Sequence, residues 1–358
     1  MTAHLHSVLR EQVLDAAARG LKLTPHGSGS KDFLAQARVG VPLDMRGAQG
    51  IIAYEPSELF VTAHAGTRLA DIEALLHMHG QMLAFEPPHF GPHATLGGAV
   101  ACGLSGPRRI AAGSLRDFVL GVTVMDGRGR VLRFGGQVMK NVAGFDVSRL
   151  FAGSFGTLGL LLDVTLKVLP RPQAEQTRVL SMSQSAALAT LREWGSQPLP
   201  VSATAWHDGQ LHVRLSGAAA ALEAAVRHIG GERLDDGAAP LFWTGMREHR
   251  HAFFAGDRPL WRVALPPRAP ALDLPGEQLV EWNGMQRWLR SDATAADLRT
   301  IAGGLGGHAT LFRGGTSALR EAGVFEPLAP ALMTVHRRLK EAFDPSGVFS
   351  PGRMYAEL

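Results

Sequence analysis

Apolar residues recur at helical spacing near the start of the chain. Val8, Leu9, Val13, Leu14 and Ala17 share one stripe, and Gly20 stops the pattern, which predicts a helix over 5–19. The short apolar run 21–24 predicts a strand that feeds the loop Pro25-His26-Gly27-Ser28-Gly29-Ser30-Lys31. Short strands follow at 43–46 and 50–54, then a turn at 55–58 and another strand at 59–65. Leu69, Ile72, Leu75 and Leu76 fall on one face of a helix over 69–79 that Gly80 ends. Pro87, Pro88 and Pro92 forbid a helix or central strand over 86–93, leaving an extended loop. Alternation at 119–125 and 130–134, around Asp126-Gly127-Arg128-Gly129, predicts a hairpin. A long strand at 160–168 and the stiff Pro170-Arg171-Pro172 close this half.

The second half has a different rhythm. Strands are predicted at 177–182, 201–206, 210–215, 258–265, 278–282 and 308–312, with helices at 218–229 and 292–302. Strands with intervening helices suggest a small antiparallel sheet backed by helices, ferredoxin-like in pattern. An amphipathic helix at 327–343 leads to the tail Asp344-Pro345-Ser346-Gly347 and onward to Arg353.

Length and composition narrow the class. The chain has 358 residues, 46% apolar, enough for two domains with large cores. Its single cysteine, Cys102, excludes internal disulfides, CxxC zinc sites and cysteine-ligated iron–sulfur clusters. The net charge of +4 is spread out without a basic block, which argues against nucleic-acid binding. The N-terminus lacks the order of a signal peptide, and no stretch approaches ~20 unbroken apolar residues. The expected location is cytoplasmic, with peripheral docking on the inner membrane face as a further option.

Two places carry candidate chemistry. The loop from Gly27 to Ser30 follows a strand and would present several backbone N–H groups to one point, an anion cradle suited to phosphate. Ala94-Thr95-Leu96-Gly97-Gly98 reads as a capped helix start whose free N–H groups would face a phosphate. Between Gly135 and Gly159, glycines at 135, 136, 144, 153, 156 and 159 suggest backbone wrapped closely against a ligand.

Taken together, PHGSGSK, ATLGG, GSLRD, the DGRG hairpin, VMKNVAGFD and LFAGSFGTLG occur in one order over 21–172. They resemble the FAD-binding domain of the vanillyl-alcohol-oxidase/PCMH flavoprotein superfamily. With the later segment EWNGMQRWL, they resemble in particular the FAD-binding subunits of bacterial glycolate oxidases. The resemblance implies an α+β fold: a PCMH-type domain of two α+β subdomains over 1–172, then a smaller antiparallel ferredoxin-like cap over 173–340. The tail, 341–358, would return to the first domain. By motif, the cofactor would be met by Pro25, Gly27, Ser28, Gly29, Ser30 and Lys31 of the first loop. Further along, Pro87, Thr95, Leu96, Gly97, Gly98, Gly103, Ser105, Gly106 and Asp117 would meet it. Lys140, Asn141, Gly144, Gly156 and Leu160 would complete the set. Covalent attachment in this superfamily usually uses a histidine of the first loop. Ser30 matches that position, so non-covalent FAD is expected.

The substrate is less legible. Single-chain hydroxyacid dehydrogenases of the superfamily carry a GHxGDGNxH-type motif in the C-terminal half, and here only His308 matches it. His308 as base and Arg287 or Arg313 as carboxylate clamps are the remaining candidates. No metal site is expected. The resemblance implies that this chain works beside a second, catalytic FAD subunit and an iron–sulfur subunit in oxidising a small 2-hydroxy acid such as glycolate. A stand-alone dehydrogenase and a structural subunit with vestigial FAD remain the alternatives.

Overall fold

The computed structural model describes residues 2–136 and 146–358. The amphipathic helix α1 (Thr2–Arg19) lays Leu9, Val13 and Ala16 on a core shared with Leu23 and Leu43. Those two residues belong to β1 (Leu23–His26) and β2 (Val41–Asp44), which pair in parallel. The first strand thus lies two residues beyond the apolar run. Its position is set by its partner and by a bridge from Leu23 to Phe349, not by the local pattern.

Next come β3 (Ile51–Glu55), β4 (Phe60–His64), α2 (Leu69–Met78) and β5 (Gln81–Met82), followed by the short helices α3 (Leu96–Cys102), α4 (Arg109–Ala112) and α5 (Leu115–Phe118). The hairpin β6 (Val119–Met125) and β7 (Val131–Gly135) turns around Asp126. Its buried carboxylate accepts the N–H groups of Arg128 and Arg130. β8 (Leu160–Lys167) completes a five-stranded antiparallel sheet of order β3-β4-β8-β6-β7. β8 is central and buried on both faces. Leu161 and Val164 join the core under α2 and α3, while Leu160 and Leu162 join the core under α1. That is why its sequence is a continuous apolar run rather than an alternation. The proline-rich link is not a free spacer: β9 (Leu169–Pro170) pairs with β5.

The second half holds β10 (Ala174–Ser181), α6 (Gln184–Trp194), β11 (Val201–His207), β12 (Gln210–Gly217), α7 (Ala219–Ile229) and β13 (Glu232–Arg233). After α8 (Ala238–Arg247) come β14 (Leu260–Ala264), β15 (Glu277–Glu281), β16 (Gln286–Arg290), α9 (Ala295–Gly304), β17 (His308–Arg313), α10 (Ser317–Glu321) and α11 (Pro330–Phe343). The sheet order is β13-β10-β12-β11-β15-β16-β14-β17. The first four strands form a βαββαβ unit in ferredoxin-like order. The last four repeat that order in mirror sequence, with an irregular segment in place of the first helix. The two units join edge to edge through β11 and β15. The ferredoxin-like pattern therefore occurs twice, in one eight-stranded sheet. α6, α8 and β16 lie in stretches where the sequence pattern predicted no element.

Helices α6, α7 and α9 cover one face of this sheet. The other face, with Ala203, Ala205, Leu279, Trp288 and Phe312, packs on Leu34 and Leu104 of the first half. Buried polar contacts lock the junction. Glu86 accepts from the Arg108 N–H at 2.8 Å and from Arg214 Nη2 at 2.9 Å. Trp282 Nε1 donates to the Gly106 carbonyl at 3.1 Å, and Glu248 accepts from the Phe90 N–H at 2.8 Å.

Candidate functional site

A cleft of about 800 Å³ opens where β1 ends. Its walls come from the loop after β1, the start of α3, the segment preceding β8 and the C-terminal tail. The structure brings Pro25, Gly27, Ser28, Gly29, Ser30, Lys31, Thr95, Gly97, Gly98, Gly156 and Leu160 together here. These residues are spread over more than a hundred positions of sequence.

The loop fits an anion. Among the described residues, no protein acceptor takes the N–H groups of Gly27, Ser28 or Gly29. Gly27 also has no room for a side chain: a Cβ there would lie 2.4 Å from Thr95 Oγ1. Two buried polar atoms beside the cleft, Arg353 Nη1 and Ser350 Oγ, lack any partner among the described residues. The other nitrogen of the same guanidinium, Arg353 Nη2, donates to the Leu34 carbonyl at 2.8 Å, which holds it in place. Lys31 is buried and donates to Ser30 Oγ and to the His89 carbonyl at 3.3 and 3.1 Å. Burial pulls its ammonium below the ordinary lysine range, against the opposing influence of Cys102 and Glu248. Unspent donors and an orphaned guanidinium are what a diphosphate needs.

The α3 terminus works differently from the sequence expectation. Thr95 Oγ1 does accept the Gly98 N–H, at 3.3 Å. The Leu96 N–H, however, donates to the Thr67 carbonyl and the Gly97 N–H to the Ala65 carbonyl. These N–H groups are therefore not free for phosphate. They tie α3 to β4 and its following turn, and Gly97 and Gly98 offer the cleft a bare backbone surface.

Other expected residues lie elsewhere. Leu96 is buried in the core. Gly103 caps α3 with φ +65 and sits against Gly153. Asp117 accepts from Ser114 in a capping box at the start of α5, outside the cleft. Pro87 is buried and lines neither cavity described here. Ser105 and Gly106 line a second, smaller cavity at the junction of the two halves. Lys140, Asn141 and Gly144 lie outside the described residues.

His26, Arg38, Phe155 and Arg353 also line the cleft. Arg38 contacts the His26 ring and pairs with Asp32. The resemblance implied only that the tail returns to the first domain. What brings them in is the parallel bridge of Leu23 with Phe349. Cys102 lines the cleft as well, and burial pushes its thiol up from the ordinary value.

The catalytic candidates separate clearly. Arg287 spends its guanidinium on the carbonyls of Gly284, Pro270 and Ala269. It lies on the face of β16 away from the first half, so it is not a carboxylate clamp. His308 is exposed at the start of β17, opposite Ala264, and lines neither cavity. Arg313 stacks its guanidinium 4.7 Å from the Phe33 ring centroid. Among the described residues, no group of three His, Cys, Asp or Glu side chains is placed to hold a metal ion, and no helix is long and apolar enough to cross a membrane.

Residues 4–135 match the family of FAD binding domains. Glycolate oxidase subunit GlcE of Escherichia coli is 48% identical over 350 residues, covering 98% of this chain and 97% of that protein. The chain belongs to the glycolate oxidase GlcE subunit family. Its cofactor is FAD, as the matched domain and the GlcE relative show, and the unspent donors of the cleft fit the cofactor's diphosphate. The GlcE-type chain is also similar to glycolate oxidase subunit GlcD of Bacillus subtilis, 29% identical over 43% of this chain and 33% of that one. A D-lactate dehydrogenase of Anaerostipes hadrus is 32% identical over a similar share. Alkyldihydroxyacetonephosphate synthase shares the fold at a TM-score of 0.65 and 16% identity, covering 96% of this chain and 74% of the other. The likeness to GlcD and the dehydrogenase spans less than half of the chain. The GlcE likeness runs through the eight-stranded sheet and the tail.

Proposed function

We propose that this chain is an FAD-binding subunit of a glycolate oxidase-type complex and supports the oxidation of glycolate to glyoxylate. The observation that carries the reading is the full-length likeness to a GlcE subunit combined with a cleft that leaves diphosphate donors unspent. FAD in that cleft would supply reversible two-electron chemistry.

The chain's own residues would do the rest. The N–H groups of Gly27, Ser28 and Gly29, with the Arg353 guanidinium, would hold the diphosphate. Thr95 would keep α3 seated so that Gly97 and Gly98 approach the cofactor closely, and Gly156 and Leu160 would close the opposite wall. Pro25, Ser30 and Lys31 would shape the mouth. Pro87, Leu96, Gly103, Ser105, Gly106 and Asp117, with Lys140, Asn141 and Gly144, would act near the ring or support those that do. Ser30 carries no group for attachment of the flavin, so the cofactor would be held non-covalently.

A second FAD subunit would carry out the oxidation of the hydroxyacid, and an iron–sulfur subunit would take the electrons. In this division residues 1–172 bind FAD, residues 173–340 form the cap and residues 341–358 return to the FAD domain. The complex would sit in the cytoplasm or on the inner face of the membrane.

Purification of the full chain tests the reading. A yellow protein is expected that glycolate and D-lactate do not bleach, and that co-purifies with the two other subunits when all three are co-expressed. Bleaching by the chain alone, or a folded but colourless chain, overturns it.

A further inference from the structure

A cavity of about 490 Å³ lies on the face of the eight-stranded sheet that α8 covers. Three histidines meet in it: His207 at the end of β11, His212 on β12 and His251 after α8. Phe242 and Met246 of α8 close it. Strand register gathers two of the histidines. His212 stands opposite Ala205, two residues before His207, so alternation sends both to one face. The chain after α8 folds back to bring the third, and the His251 ring lies 5.2 Å from the His207 ring. α8 rests on the cluster through Phe242, whose ring stacks on His212 at 4.0 Å and meets His251 edge-on at 5.7 Å.

The cluster is poor in counter-charge. Among the described residues, neither His212 nor His251 forms an ion pair. Glu277 on β15 pairs with His207 Nε2 at 2.7 Å and is about half exposed. Asp208 lies exposed in the turn after β11, and Glu232 lies exposed on the edge strand β13, beyond Val179. Glu281, beyond Ala205, is turned to Trp288 and Gln286. Asp235 caps α8, and Asp236 pairs with Arg233. The nearby cations are spent elsewhere: Arg214 on Glu86 and Arg247 on Glu248. Arg250 is exposed, and His249 lines the junction cavity and stacks on Phe254. Burial, then His251 and His207, hold His212 down at about 4. Burial and His207 lower His251 against the pull of Glu277. From this cluster α8 leads straight to the FAD cleft. The residue after it, Glu248, is buried and accepts the N–H groups of His89 and Phe90 at 3.1 and 2.8 Å. The His89 carbonyl accepts in turn from Lys31 Nζ at 3.1 Å, and Lys31 lines the cleft.

We propose that His207, His212 and His251 form an acid-sensitive latch that holds α8 on the sheet and, through Glu248, keeps FAD in its cleft. Proton uptake by the cluster brings like charges together in a cavity with one half-exposed carboxylate, and α8 parts from the sheet. Glu248 moves with α8, the 89–90 loop loses its acceptor, and FAD leaves the cleft faster. The sign follows from His212. Its value is lower in the closed state than the ordinary 6.5, so closure is fully favoured above about pH 6.5 and loses ground as pH falls towards 4. The inference rests on FAD occupying the cleft beside Lys31.

Amide hydrogen exchange of α8 in the full chain, corrected for its intrinsic pH dependence, and the rate of FAD release test it at pH 7.5 and 5.5. His212 alone should raise the open fraction about tenfold between them, so α8 exchange and FAD release should both quicken about tenfold. α7, on the other face of the same strands, is the control and should not change. His212→Phe keeps a ring on Phe242 without the proton, and His212→Gln keeps a neutral polar group. Either should cut the rise to less than about threefold. If one does not fold, the other carries the test. An α8 exchange that ignores pH, an equal rise in α7, or FAD release that does not follow α8 exchange overturns the proposal. So does a wild-type response in the His212 variants. A chain without FAD at pH 7.5 contradicts the subunit reading, while α8 exchange still reads the latch, so the two failures are distinct.

Discussion

Lys340 Nζ donates to Asp344 Oδ2 at 2.7 Å inside the protein core, one helical turn apart at the end of α11. The same ammonium donates to the carbonyls of Thr157 and Phe349 at 2.7 and 2.6 Å. Asp344 in turn accepts the N–H groups of Val348 and Phe349. One ion pair therefore fastens the tail, the segment before β8 and the end of the last long helix. The tail so fastened carries Ser350 and Arg353 to the FAD cleft.

Lys340→Met leaves the Asp344 charge buried without its partner. The expected loss is about 3–5 kcal/mol of stability, with FAD retention falling in parallel because Arg353 loses its anchor. Thermal unfolding and the flavin-to-protein absorbance ratio check both. Retained flavin at a lowered Tm would separate the tail from the cofactor.

Gly97→Ala is expected to lose FAD. The new Cβ would lie 2.8 Å from Ala65 Cβ and 3.0 Å from the Ala65 carbonyl, which is also the acceptor of the Gly97 N–H. The strain should cost about 1–3 kcal/mol. Gly303→Ala is the control. It lies in α9 with open space around it, and it should stabilise the protein by up to about 1 kcal/mol.

Glu281 sets a pH dependence. Burial raises its folded pKa from 4.5 to about 7, so the folded protein holds a proton that the unfolded chain has released. Stability from this group is full below pH 4.5 and is lost as pH rises through about 7. The total is about 3 kcal/mol at most. Glu281→Gln keeps an acceptor for Trp288 Nε1 and removes the titration. Denaturant midpoints measured from pH 4 to 9 should fall less steeply for the variant across that window, and parallel profiles would contradict the assignment.

Arg287→Met strips donors from three backbone carbonyls in the cap. It should lower stability by roughly 1–3 kcal/mol while leaving small-acid affinity unchanged. Calorimetric titration with glycolate distinguishes this from a direct role in binding a carboxylate.

Glycine and small-residue spacing over 21–172 made a close backbone approach to a ligand legible without coordinates, and the family resemblance carried by the motifs implied that the ligand is FAD. The sites that failed to read failed for physical reasons. Thr95 and Gly97 announce a helix start, but only the neighbouring Thr67 and Ala65 carbonyls decide that the Leu96 and Gly97 N–H groups are spent. Arg287 and Gln286 are adjacent in sequence and lie on opposite faces of one strand. Nothing local tells which face meets the first half.

By itself, the sequence determined most elements of the first half, the apolar stripe of α2, the hairpin around Asp126 and the glycine-lined approach to a ligand, whereas Val8 and Leu14 of the expected α1 stripe are exposed and Ala16 is buried instead. These rest on contacts within a few residues, where periodicity and turn chemistry suffice. Tertiary structure alone decided the edge-to-edge joining of the two ferredoxin-like units, the return of Arg353 to the first loop, and the burial of Glu281 against Trp288. Each depends on partners tens to hundreds of residues away, and strand register and burial, which no local pattern encodes, select among the pairings the chain allows.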